Sequence, residues 1–186
     1  MSTSTTHYPV HPAAIRWLHW TTLLLLLAAF ALVLLRDVVE ERAARTLLLQ
    51  AHRLAGLSVA SLALARLAVR QRATLAPTDA GMSTPQKLAA SALHALLYVL
   101  LLSIPLLGWA LSSARGQAVA LPLGVNLPAL LAKDLDLADS LEQLHSIAAW
   151  SLAALAGLHA AAAIWHHRVR RDGVLVAMLP RLNGRN

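Results

Sequence analysis

The chain of 186 residues contains no cysteine, which excludes covalent c-type haem, thiolate-held iron–sulfur clusters and redox disulfides together. Charge is also scarce: 13% of residues are charged, with 9 acids against 16 Lys and Arg. Aromatic residues make up only 4%, and 5 of them are Trp. What is abundant is aliphatic, since 58% of the chain is hydrophobic and the mean hydropathy is +0.58. A soluble domain of this length needs more polar surface than that composition supplies. The sequence therefore reads as a small integral membrane protein, all-α, forming one domain over 1–186.

Four apolar segments stand out, at about Ala14–Leu35, Thr46–Val69, Leu88–Ser112 and Leu141–Trp165. Each is long enough to cross a hydrocarbon core of about 30 Å, so a four-helix transmembrane bundle is expected. The first segment has the rough form of a signal peptide, with Arg16 ahead of the run Leu23–Leu27. It is longer than an h-region, however, and carries His19 and two Trp residues near its start, so it is read as a retained span. Low complexity is confined to Leu/Ala runs.

Basic residues set the expected orientation. Arg16, Arg66, Arg70, Arg72, Lys87, Arg168, Arg170, Arg171, Arg181 and Arg185 fall on one side, against only Asp79 and Asp172. The other side has Arg36, Arg42, Arg45, Arg53, Arg115 and Lys133 against Asp37, Glu40, Glu41, Asp134, Asp136, Asp139 and Glu142. Under the positive-inside rule the first side is cytoplasmic, which puts both termini there and is consistent with four spans. The pI near 11.3 then reflects topology and anionic headgroups, and no nucleic-acid partner is implied. Trp17, Trp20 and Trp165 sit near the inner boundary and Trp109 near the outer one, as anchors. Pro105 is expected to bend the third helix or free a carbonyl that a neighbouring helix satisfies.

With no thiol, histidine is left to hold a metal, and there are 9. His145 and His159 lie 14 residues apart in the last segment. That spacing returns them to nearly the same helix face, roughly 21 Å apart along the axis. Titratable side chains inside a bilayer are costly, which makes function the default reading. Counting along the segments, His19 and His159 reach one level near the inner side, and His52 and His145 reach another near the outer side. A b-type haem held from both faces needs two histidines on different helices with a flat apolar slot between them, and two haems need four. Gly56, four residues after His52, either admits a planar ring or serves ordinary small-residue packing, and Gly157 allows the same two readings. Arg53 either pairs with a haem propionate or snorkels to the outer headgroups.

The stretches Ile15–Trp20 (IRWLHW), Ala51–Gly56 (AHRLAG), His94–Tyr98 followed by Pro105 and Gly108, and Leu144–His167 (LHSIAAWSLAALAGLHAAAAIWHH) resemble the four-helix prokaryotic cytochrome b561 family. The resemblance covers all four segments and implies a multi-pass protein of the bacterial inner membrane. It implies two b haems per chain, with His19 and His159 on the inner iron and His52 and His145 on the outer. It also implies electron exchange with quinone, and in one branch oxidation of superoxide with reduction of ubiquinone. His94 enters the inner level, either as a competing ligand or beside the haem or quinone. His166 and His167 lie at the inner boundary as solvated or lipid-facing residues, or as quinone contacts that exchange protons. His7 and His11 are expected on the surface.

Three functions fit these residues. One is a di-haem oxidoreductase between a small outer donor and the quinone pool. The second is a cytochrome b anchor that takes electrons from a soluble dehydrogenase or hydrogenase. The third is a non-redox membrane module with structural or zinc-binding histidines.

Overall fold

The computed structural model describes residues 10–73 and 81–180. His7, Asp79, Arg181 and Arg185, which entered the charge and surface arguments, lie outside the described residues. Four helices follow in order: α1 (Ala13–Val38), α2 (Arg42–Arg72), α3 (Thr84–Ala114) and α4 (Leu135–Trp165). All four are long and apolar enough to cross a membrane. Among the described residues there is no strand, only an isolated bridge between Ala120 and Asn126.

Each helix contains its expected apolar segment and runs beyond it, because the ends are polar turns with their own caps. Glu41 caps α2 by accepting from the amides of Ala43 at 2.9 Å and Ala44 at 2.6 Å. Asp134 caps α4 by accepting from the Leu137 amide at 3.0 Å. At the start of α3 the Gln86 side chain accepts from the Ser83 amide at 3.0 Å. Such caps satisfy amides that have no partner within the helix. They let α2 begin at Arg42 and α4 at Leu135, well outside the hydrophobic runs.

α1 packs on α2 and α3 on α4, and α2 also meets α3. The α1–α2 seam is built from small or branched residues: Thr22 and Ala29 on one helix, Ala55, Val59 and Ala63 on the other, all buried. Small side chains let backbones approach closely in lipid, where hydrophobicity gives helices no reason to associate. α4 stands off, with no Cα within 8 Å of any Cα in α1 or α2. Large apolar residues such as Trp17, Leu24, Leu64, Leu88 and Ile147 point outward, as a bilayer requires.

Beyond α4, His166–Arg170 forms a π-helical turn that ends at Arg171 in the left-handed region, with φ of 53°. The chain then folds back under the bundle and buries Val176 and Ala177. There the His11 amide donates to the Ala177 carbonyl at 3.0 Å, and the Trp20 indole donates to the Met178 carbonyl at 3.2 Å. The opposite end is closed by the α3–α4 loop. Trp109 donates to the Pro128 carbonyl at 3.0 Å, Arg115 pairs with Glu142, and Gln50 of α2 donates to the Ala120 carbonyl.

Candidate haem sites

Two histidine pairs bridge the gap between α4 and the α1–α2 hairpin. The ring centroids of His19 and His159 are 6.3 Å apart with planes at 74°. Those of His52 and His145 are 6.2 Å apart at 75°. With metal–imidazole bonds of about 2.0 Å, two imidazoles on opposite faces of one iron have centroids roughly 6.3 Å apart. Both pairs therefore fit an iron porphyrin, and the helices that carry them stand far enough apart to flank it.

Ring orientation at the His52 level is held by backbone carbonyls. His52 Nδ1 donates to the Ala29 carbonyl of α1 at 2.8 Å, and His145 Nδ1 donates to the Ile104 carbonyl of α3 at 3.1 Å. This fixes each tautomer and leaves Nε2 as the free lone pair for a metal. Ile104 immediately precedes Pro105, but the carbonyl that Pro105 leaves without an amide is that of Leu101, four residues back, so this bond orients His145 and does not satisfy the freed carbonyl. Gly108, one turn on, lets His145 come close: a Cβ there would stand 3.2 Å from His145 Cε1. At Gly56 and Gly157 an added Cβ would meet nothing within 4 Å, so neither glycine serves helix packing. The small-residue packing reading is thereby corrected for both.

His94 lies 5.1 Å from His159, ring centroid to centroid, and its Nδ1 donates to the Ala90 carbonyl of its own helix at 2.7 Å. That separation is roughly an ångström too short to hold an iron between them. Arg53 donates from Nη2 to Gln117 Oε1 in the α3–α4 loop. Among the described residues no group of three or more His, Asp or Glu is arranged to hold a bare metal ion.

At the other end His166 Nδ1 donates to Asp172 Oδ2 at 2.5 Å, with both side chains largely buried. The Trp165 ring meets His166 edge-on at 5.3 Å. His167 Nδ1 is buried with no hydrogen-bond partner among the described residues, and so is His11 Nδ1. His11, expected on the surface, is half-buried; burial, then the nearby Arg66 and Arg70, push its pKa below the usual histidine value.

A four-helix membrane protein with facing imidazoles spaced for haem belongs to the class of b-type membrane cytochromes. Comparison with known proteins narrows this. The model of the prokaryotic cytochrome b561 family matches residues 10–181, and the chain belongs to that family. It is 31% identical to "Cytochrome b561 homolog 1" of Escherichia coli K12 over 170 residues, 89% of this chain and 94% of that protein. It is 28% identical to "Probable superoxide oxidase CybB" of Yersinia pestis over 170 residues, 90% and 94% of the two chains. "Cytochrome b561 homolog 2" of Escherichia coli K12 is 37% identical over 93 residues, half of each chain. Membership implies b-type haem, electron transport and a multi-pass place in the inner membrane.

Proposed function

We propose that the whole chain is one domain that binds two b haems, both termini cytoplasmic, and carries single electrons from a small donor at the outer face to a quinone at the inner face. His19 and His159 hold the inner haem, and His52 and His145 the outer. Haem b, when bound, supplies a one-electron ferric/ferrous couple. The observation that carries the reading is the pair of imidazole couples at 6.3 and 6.2 Å, each spanning helices whose backbones stay more than 8 Å apart, Cα to Cα.

Superoxide is the donor we propose, on the strength of the Yersinia pestis relative's name. Two superoxide anions give up one electron each and leave as dioxygen; one ubiquinone takes both electrons and two protons to become ubiquinol. The chain's own part at the inner face is proton handling. Asp172 accepts from His166 Nδ1, so His166 Nε2 is left to exchange a proton with a bound quinone.

The test is purified protein in detergent, with extracted haem quantified against polypeptide and superoxide supplied with ubiquinone. Two haems per chain and superoxide-dependent ubiquinol formation are expected. A haem-free preparation after haem-sufficient expression overturns the reading. Two haems without superoxide-driven reduction overturn the proposed donor alone.

A further inference from the structure

Arg66 is the unexplained charge in this bundle. It lies 14 residues after His52 on α2, the same interval that separates His145 from His159 on α4. Both helices run the same way, so Arg66 returns to the interior face at the His159 level. Its charge reaches His19, His94 and His159. A guanidinium that deep in a helix is costly unless paired, yet Arg66 has no carboxylate partner among the described residues. It lies over the face of Tyr98 on α3, 5.8 Å from Cζ to the ring centroid. The Tyr98 hydroxyl is itself buried with no hydrogen-bond partner among the described residues, and so is Arg16 Nε.

A half-buried cation without a carboxylate partner among the described residues, beside a buried phenol hydroxyl without an acceptor among them, calls for one ligand that is anionic and accepts hydrogen bonds. A carboxylate meets both demands, since it takes the guanidinium fork and still has a lone pair for a hydroxyl. We propose that Arg66 and Tyr98 anchor a propionate carboxylate of the inner haem. This rests on the two-haem reading above. The pair holds the macrocycle in rotation about the His19–His159 axis, and the positive charge favours the ferrous over the ferric state.

The experiment compares purified holoprotein of Arg66→Gln, Arg66→Lys and Tyr98→Phe with the parent chain. It reads haem content, the propionate bending band of the resonance Raman spectrum, the midpoint potential of each haem and bound phospholipid. The band of the inner haem is expected to move in Arg66→Gln and in Tyr98→Phe. The inner ferric/ferrous equilibrium is expected to shift toward ferric by on the order of tenfold in Arg66→Gln, about 59 mV for one electron, with the outer haem unmoved. Arg66→Lys is expected to keep most of the potential but not the band, because an ammonium supplies charge without the planar fork. Should Arg66→Gln lose the inner haem, Tyr98→Phe decides on the band alone. An unmoved band in haem-replete Tyr98→Phe and Arg66→Lys overturns the proposal. So does loss of phospholipid from Arg66→Gln with the band unchanged, which assigns the anion to a lipid phosphate. A parent chain without haem fails the earlier reading instead, so the two failures are separable.

Discussion

His52 and His145 face each other with ring centroids 6.2 Å apart, and each commits Nδ1 to a carbonyl on a helix other than its own, Ala29 for one and Ile104 for the other. The two imidazoles are thus oriented by all four helices: α1 and α2 hold one, α3 and α4 the other. His52→Ala or His145→Ala is expected to remove one haem and leave the second spectrum intact. His19→Ala or His159→Ala is expected to do the converse. Reduced-minus-oxidised spectra with haem counted against polypeptide check this, and loss of both haems from any one variant would refute separate sites.

Gly108 sets how closely His145 can approach α3. A Cβ at 3.2 Å from Cε1 is tighter than ordinary contact, so the ring must give way or turn. Gly108→Ala is expected to lower outer haem occupancy and to cost about 1–3 kcal/mol by overpacking, and Gly108→Val to abolish that haem. Ser58→Ala, at an exposed position on α2 where the hydroxyl only donates to the Leu54 carbonyl of its own helix, is the control. Equal effects from both would show that contact with His145 is not what matters.

His94 is close to His159, yet the 5.1 Å spacing is too short for a shared iron. His94→Ala is therefore expected to keep two haems per chain and a low-spin spectrum at both. Disappearance of the inner haem in that variant would move the ligand from His19 or His159 to His94.

Much of this arrangement is legible in the sequence, and the parts that are not share physical reasons. The four spans follow from hydrophobic length, and the histidine pairing follows from depth counting along helices of known rise. The helix ends were hidden because their turns are polar and capped, as at Glu41 and Asp134, so they lie outside any apolar run. The acceptors for His52 and His145 are backbone carbonyls, which every residue has and no sequence pattern marks. Arg66 looks like inner-side charge until its 14-residue interval from His52 is compared with that of His145 and His159. Asp172 is invisible as a partner because it comes back to His166 only through a π turn and a left-handed Arg171.

That π turn gives the His166–Asp172 pair its geometry, and irregular helical turns of this kind occur often at functional sites. Asp172→Asn keeps a hydrogen-bonding side chain but removes the carboxylate that fixes the tautomer. Ubiquinol formation is expected to slow on the order of tenfold or more, with both haems retained and their reduction by dithionite unchanged. His166→Gln is expected to match it, and the double variant to add little, since the two side chains act as one unit. Additive losses would mean that Asp172 acts only on the fold of the terminal segment, through its cap on the Val174 amide at 3.2 Å.

The last prediction concerns the contact between the start of α1 and the segment after α4, where the His11 amide meets the Ala177 carbonyl. His11 lies outside the spans, and burial, followed by Arg66 and Arg70, holds its pKa below the ordinary 6.5. The released segment therefore binds more protons than the docked one. By linkage, docking is strongest above pH 6.5 and weakens as pH falls from there toward the depressed value. Hydrogen exchange at the His11 and Ala177 amides, together with quenching of Trp fluorescence in a chain keeping only Trp20, is expected to show release on acidification. His11→Gln, which cannot titrate, is expected to abolish the pH dependence while leaving the segment docked. If exchange is flat across this range in the parent chain, His11 is not the group that senses it. If His11→Gln retains the dependence, His11 is not the group that takes up the proton.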